Sequence, residues 1–594
     1  MKELEYPFDA EEILRKKKSY KKQLLSQDLN WMDKKVAILG GQTTENIKLM
    51  LELFLLNNGI RPQFYESEYN KYYEDGMFPN PELESFAPDI IYICTCIRNI
   101  TDLPSMSDGP VRVEDKLEQT FMRFTGLWDR IADTYKCTVI QNDFELPYYR
   151  VLGNMDASDI HGRVNFVTRL NCKLYEYAVA HENFHICGVN YISAAYGLDK
   201  WSDPFFWHMY KYGMALPAIP YLAFNVANII KSVYGKNKKA LSLDLDNTLW
   251  GGIVGDDGAD NIEIGQETPV AQTYSEFQSY LKQLGDRGIM LTVNSKNDEE
   301  NALAGLNRPD SVLKPDDFAV IKANWEPKSS NLIKTAEEMN ILPESFVFAD
   351  DNPAERAIVE GQIPGIAVPL LERPEHYVSA IDKTGYFEAT TLSDDDIKRN
   401  EMYMQNAKRT KQQAAFENYE DYLISLEMQA EIRPFVPEYM SRIAQLTNKS
   451  NQFNLTTKRY TQSELEEIAG DKEHITLYGK LVDKFGDNGV VSVVIGKKEN
   501  DLLHIELWLM SCRVLKRDME YAMMDRLIKL AKDRGITKLV GYYHPTAKNS
   551  MVRTFYETMG FTKTKEDEKG NTVWEYRIPD DYEDKQHVIA YTIG

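Results

Sequence analysis

Three short apolar runs, each ending abruptly in polar residues, constrain this chain most. They are Ala240-Leu241-Ser242-Leu243 before Asp244-Leu245-Asp246-Asn247-Thr248, Met290-Leu291-Thr292-Val293 before Asn294-Ser295, and Phe346-Val347-Phe348-Ala349 before Asp350-Asp351. A short apolar run bounded by turn residues reads as a strand buried on both faces, which is the strand type of parallel sheets. Open parallel sheets bind ligands outside the carboxyl ends of their strands, where these polar residues stand.

The residue types at those ends suggest phosphoryl transfer. Neighbouring carboxylates repel one another unless a cation neutralises them, so Asp244 and Asp246 point to a bound Mg²⁺. Asp244 is placed to attack phosphorus while Asp246 gives and recovers a proton. An acidic turn capping the next segment is the plain alternative for Asp-x-Asp alone, but Ser295, Lys328 in Trp325-Glu326-Pro327-Lys328 and the pair Asp350-Asp351 follow in chain order. This ordered set resembles the haloacid-dehalogenase (HAD) superfamily over roughly residues 238 to 372. The resemblance implies that Asp244 is the nucleophile and Asp246 the general acid/base. It places Thr248, Ser295, Lys296 and Lys328 around the phosphate. It also implies Mg²⁺ held by Asp244, Asp350, Asp351 and the backbone carbonyl of Asp246, with Asn352 a further candidate ligand.

A narrower resemblance rests on Trp250-Gly251-Gly252-Ile253-Val254-Gly255-Asp256-Asp257-Gly258, Ser295-Lys296-Asn297-Asp298, Asp350-Asp351-Asn352-Pro353-Ala354-Glu355-Arg356 and Asn451-Gln452-Phe453-Asn454-Leu455-Thr456-Thr457. These runs are similar to the FkbH-like family, and the similarity spans nearly the whole chain. It implies dephosphorylation of an acyl phosphate such as 1,3-bisphosphoglycerate, with the glyceryl group loaded on an acyl carrier protein. Family members often carry Cys before the second-motif Ser. This chain has Asn294 there, which forms no thioester, so Cys512 in Ser511-Cys512-Arg513 is the remaining acyl-thiol candidate. A small-molecule phosphatase without acyl transfer, and an inactive binding or scaffold protein, are the competing readings.

The expected fold class is α/β multidomain: a central Rossmannoid HAD-like parallel sheet, an N-terminal SGNH/flavodoxin-like α/β domain and a C-terminal GNAT-like α+β domain. The limits read from the sequence are an N-terminal helical segment over 1–34, the SGNH-hydrolase-like domain over 35–232, the HAD-like domain over 238–375, a helical linker over 394–427 and the acetyltransferase-like domain over 428–580. At 594 residues the chain is too long for one core. In the last domain the segment Val514 to Asp518 lacks the glycines of an acetyl-CoA site, so Lys516 and Arg517 are candidate carrier or pantetheine contacts. In the first, Gln42 and Thr43 occupy the turn where an SGNH hydrolase has its Ser, which favours a non-catalytic module. Asp203 with His208, and His181 with His185 at helical spacing, are weaker candidates for a dyad and a metal pair.

Lys plus Arg number 69 against 91 Asp plus Glu, a net charge of -22 that opposes nucleic-acid and anionic-membrane partners. The apolar stretch Met214 to Ile230 is broken by Pro217 and Pro220 and reads as buried helix. Six scattered cysteines and an acidic start predict a reduced, cytoplasmic protein.

Overall fold

The apolar runs become strands in the computed structural model, which describes residues 1–594 apart from 28, 399–401, 403, 404, 406–408, 410, 411, 414, 415, 451, 512, 513, 547, 593 and 594. The chain forms two units, Met1–Tyr234 with Glu388–Thr391, and Gly235–Phe387 with Leu392–Gly594.

In the first unit β1 (Met32–Gly40), β2 (Ile60–Glu66), β3 (Ile90–Cys94), β4 (Thr138–Asn142) and β5 (Phe184–Cys187) lie in the order β2-β1-β3-β4-β5 and pair in parallel throughout. Every residue of β3 and β4 is buried, because helices cover both faces. Alternation sorts β1 between two cores: Val36 and Ile38 join the layer with helices Glu45–Asn57 and Ile219–Val233, while Ala37 and Leu39 join that with Pro110–Tyr135 and Arg163–Ala180. The helix Ile219–Val233 is the buried helix expected near Met214 to Ile230. At the turn after β1, a Cβ on Gly41 would lie 2.5 Å from Asn99 Oδ1, so only glycine fits.

The histidine pair does not share a helix face. His181 follows the helix and stacks on Tyr177 with centroids 3.8 Å apart, whereas His185 lies inside β5, drawn there by the strand pairing of its neighbours. Asp203 caps helix Pro204–Tyr210, accepting from Phe205 N at 2.9 Å and Phe206 N at 3.2 Å, so it makes no dyad with His208. From the returning segment, Glu388, Ala389 and Thr390 line a cavity of about 280 Å³ with Tyr175, His185 and Ile229, and Glu388 O accepts from Ser232 Oγ at 3.1 Å.

The second unit opens with β6 (Ala240–Leu243), β7 (Met290–Ser295), β8 (Phe318–Ala323) and β9 (Phe346–Ala349), parallel in the order β8-β7-β6-β9. The order reverses between β6 and β9, which opens a crevice at their carboxyl ends. Eight strands follow: β10 (Gln429–Arg433), β11 (His474–Asp483), β12 (Gly486–Glu499), β13 (Leu502–Met510), β14 (Lys538–Tyr543), β15 (Thr562–Glu566), β16 (Thr572–Arg577) and β17 (Ala590–Thr592). Their order is β15-β16-β14-β13-β12-β11-β10-β17. The central parallel pair β13/β14 is joined through the helix Met519–Asp533, an acetyltransferase-like arrangement.

The linker expected as one helix over 394–427 is interrupted. Its described pieces include Asp394–Ile397 and Tyr419–Ser425, and Asn418 is extended, its side chain accepting from Glu420 N at 3.0 Å to start a separate helix. Much of the intervening stretch lies outside the described residues. No helix among the described residues is long and apolar enough to cross a membrane.

Candidate functional site

β6 ends at Leu243, and the next residue, Asp244, is tied to β9 by its N–H donating to Ala349 O at 3.0 Å. The chain then turns through Asn247, whose φ of 54° is left-handed. The Tyr274 and Tyr377 hydroxyls donate to Asn247 O at 3.3 and 3.1 Å, and Asn247 Oδ1 accepts from Gly252 N at 3.1 Å. This turn presents Asp246 to three donors. Its Oδ1 accepts from Trp250 Nε1 and Val254 N, both at 2.9 Å, and its Oδ2 from Asn297 Nδ2 at 3.0 Å. Burial raises the pKa of Asp246, as does the charge of Asp244, against the pull of the Val254 and Trp250 donors.

Lys328 opens helix Lys328–Glu338 directly after Pro327, whose fixed φ suits a helix start. Only 4% of its side chain is exposed, and its Nζ lies 2.8 Å from Asp244 Oδ2 and 2.6 Å from Asp350 Oδ2. Burial works against the ammonium, yet the two carboxylates outweigh it and raise its pKa. Asp350 is pushed to about 6, chiefly by burial and then by Asp244. Asp350 Oδ1 accepts from Asn352 N at 2.8 Å, so both its oxygens have protein donors. Burial and the Asp244 charge raise Asp351 as well.

Asp244, Asp350 and Asp351 each place a carboxylate oxygen within 4.8 Å of the others. Asp244 Oδ1 is buried with no hydrogen-bond partner, an expensive arrangement unless the oxygen binds a cation or reacts. An oxygen-rich, anionic pocket holding one ammonium fits a hard divalent ion and a phosphoryl group. The side chain of Asp246 lies outside this trio, held by its own donors.

Not every residue read from the sequence converges there. Ser295 is buried at the carboxyl end of β7, the strand beside β6. Thr248 is buried and spent on Asp351: its Oγ1 donates to Asp351 Oδ1 at 3.4 Å and accepts from Asp351 N at 3.2 Å, so it positions a carboxylate rather than a phosphate. Lys296 forms a surface ion pair with Glu355 at 2.6 Å. Asn352 caps its helix, its Oδ1 accepting from Ala354 N at 2.9 Å. Asn294 Nδ2 donates to Lys328 O at 2.8 Å and so braces the start of the lysine helix. Arg517 is buried against Asp483 at 3.1 Å, its pKa lowered by burial to about 10, and Lys516 O accepts from Tyr419 Oη at 2.5 Å. Arg517 therefore offers no open guanidinium to a carrier. Cys512 lies outside the described residues.

Two residues escaped the sequence reading. Asn297 fixes Asp246, and Arg356 Nη1 donates to the carbonyls of Asp350, Asp351 and Leu371 at 2.6, 2.7 and 3.0 Å. They stand in Ser295-Lys296-Asn297-Asp298 and Asp350-Asp351-Asn352-Pro353-Ala354-Glu355-Arg356, but nothing in their spacing announces contact with a carboxylate or a loop carbonyl.

A four-stranded parallel sheet with Asp244 and Asp246 after its central strand, Lys328 on a later helix and Asp350-Asp351 after β9 defines a haloacid-dehalogenase-type domain. The family description "FkbH, N-terminal domain" matches residues 35–231. The N-terminal part of BF1531 from Bacteroides fragilis, described as containing a phosphatase domain and complexed with Mg, is 30% identical, with 63% of this chain and 99% of that chain covered and a TM-score of 0.59. The chain belongs to the FkbH family. Two acetyltransferase structures match part of it: the Escherichia coli ribosomal-protein-S18-alanine N-acetyltransferase at 12% identity, over 27% of this chain and 100% of that one with a TM-score of 0.21, and Ard1 from Thermoplasma volcanium at 18%, over 25% and 99%, also at 0.21. No curated protein sequence matches the chain significantly.

Proposed function

We propose that this protein is a Mg²⁺-dependent phosphoryl-transfer enzyme acting on an acyl phosphate of the 1,3-bisphosphoglycerate type, and that it delivers the acyl group to an acyl carrier protein. The observation that carries the reading is Asp244, whose Oδ1 is buried and unpartnered while Oδ2 is held by Lys328. Mg²⁺ held by Asp244 and Asp351, with Asp350 beside them, would supply the positive charge that spreads over the transferring phosphoryl oxygens. Asp351 is the stronger ligand of the adjacent pair, because Asp350 already gives both oxygens to protein donors.

In hydrolysis, Asp244 Oδ1 forms a bond to phosphorus as the bond to the acyl oxygen breaks. Lys328 balances charge on the phosphoryl oxygens, and Ser295 offers a hydroxyl to them. Asp246, its pKa raised, carries a proton to the leaving oxygen and later takes one from the water that cleaves the aspartyl phosphate. Acyl delivery follows a different bond. A carrier thiol attacks the carbonyl carbon, the carbon–oxygen bond breaks, and phosphate leaves into the same Lys328 pocket carrying the thiol's proton.

Asn294 favours a second reading, hydrolysis alone, since the position before Ser295 holds an amide bonded to Lys328 O and no thiol. Turnover in H₂¹⁸O with a phosphopantetheinylated carrier separates the two. Acyl delivery leaves an acyl adduct on the carrier and no solvent ¹⁸O in the released phosphate. Hydrolysis through Asp244 puts ¹⁸O into phosphate with no adduct. Asp244→Asn abolishes the labelled release, and wild-type protein with neither signal would refute both.

A further inference from the structure

Trp325 is 71% exposed, yet it is held in place, and that combination calls for a partner. It stands in the loop between β8 and the helix that Lys328 opens, three residues before that lysine. The loop is fixed from several sides. Asn324 N donates to Ser295 O at 3.1 Å, and Asn324 Oδ1 accepts from Glu326 N at 3.0 Å and Asn331 Nδ2 at 2.8 Å. Glu326 pairs with Lys334 at 2.6 Å. The indole itself donates from Nε1 to Asp298 Oδ1 at 3.0 Å.

Asp298 is part of the reaction rim. Its N–H donates to Asn297 Oδ1 at 2.9 Å, and Asn297 Nδ2 holds Asp246. A continuous chain of hydrogen bonds therefore runs from the proton-carrying carboxylate through Asn297 and Asp298 to an indole whose faces are open. With the NH turned to Asp298, the open part of the side chain is its apolar π surface, which suits the carbon–hydrogen face of a substrate and not a phosphate. Asp244 and Lys328 are buried and charged; among the described residues of this rim, Trp325 is the large, ordered and exposed aromatic group.

We infer that Trp325 is a specificity-determining residue: it receives the organic group attached to the transferring phosphoryl. This inference rests on the phosphoryl-transfer reading but is tested by binding, so the two fail separately. The probe is 3-phosphoglycerate against inorganic phosphate, each with Mg²⁺, and the readout is acrylamide quenching of the fluorescence that wild type shows and Trp325→Phe lacks. The expected result is protection of that component by 3-phosphoglycerate and none by inorganic phosphate. Kinetics on acyl phosphates are expected to show KM raised about tenfold in Trp325→Ala with kcat within about twofold, and recovery of most of the loss in Trp325→Phe. Equal quenching with both probes, or a Trp325→Ala loss confined to kcat, overturns the inference, whether or not the enzyme turns over acyl phosphates.

Discussion

Replacing Lys328 by methionine keeps the length of the side chain and removes the one ammonium between Asp244 and Asp350. The wild-type contacts are 2.8 and 2.6 Å, with Asp350 fully buried and Lys328 4% exposed. Water cannot screen the carboxylates left behind, and breaking a buried pair from one side costs about 3–5 kcal/mol. For a domain of this size that corresponds to a fall of roughly 10 °C in midpoint, since each kcal/mol shifts Tm by about 2–4 °C. Thermal unfolding in EDTA measures it. The double variant Lys328→Met/Asp350→Asn, which removes one stranded carboxylate, is expected to recover about half of the loss, a coupling that independent effects would not give. Added Mg²⁺ is expected to raise the midpoint of Lys328→Met more than that of wild type, because the variant offers the same oxygens with no competing ammonium. Phosphate release should fall by about a thousandfold. A single variant within about 1 kcal/mol of wild type in EDTA, or a double variant less stable than the single, would refute the argument that these charges are mutually neutralised.

The remaining predictions concern positioning and pH. Asn297→Ala frees Asp246 Oδ2 and is expected to lower kcat about tenfold with KM within about twofold, whereas Lys296→Ala, at a surface ion pair, should change turnover by less than about threefold; steady-state kinetics decide both. Gly41→Ala places a methyl 2.5 Å from Asn99 Oδ1 and should destabilise the first unit by about 1–3 kcal/mol, read by denaturant unfolding. Burial pushes His185 down from 6.5 to about 4. The folded unit therefore binds fewer protons than the unfolded chain across that window, so its contribution is whole above pH 6.5 and is lost as pH falls toward 4, by at most about 3 kcal/mol. His185→Leu should flatten that part of the stability–pH curve.

Much of the candidate site was legible because phosphoryl transfer demands particular residue types at the ends of apolar strands. Asp244, Lys328 and the Asp350-Asp351 pair meet, since a parallel sheet brings the ends of β6 and β9 to one side and Lys328 reaches between them. What stayed illegible was the direction of side chains. Lys296 is one residue from Ser295 but reaches Glu355, and Thr248 and Asn352 are held by short local bonds that spacing cannot reveal. Arg517 was a candidate carrier contact, yet its partner Asp483 lies on a strand 34 residues earlier, a contact made only by the fold. The linker helix failed for a local reason, because Asn418 takes up the extended conformation of a cap where composition alone favours continuation.

The four residues Glu388–Thr391 belong to the first unit although they follow the HAD-like domain in the chain. A truncated protein ending at Tyr234, the natural cut for anyone treating the domains as beads on a string, would carry the whole five-stranded sheet and still lack one wall of the chamber beside His185. The apolar lining that Phe184 and Ile229 give that cavity would lose its cover from Glu388, Ala389 and Thr390, together with the bond from Ser232 to Glu388 O, and exposed apolar lining promotes association. Poor solubility of such a fragment would report a missing stitch supplied from 156 residues downstream and not an inability of the sheet to fold; a fragment that includes Thr391 must carry the intervening domain with it.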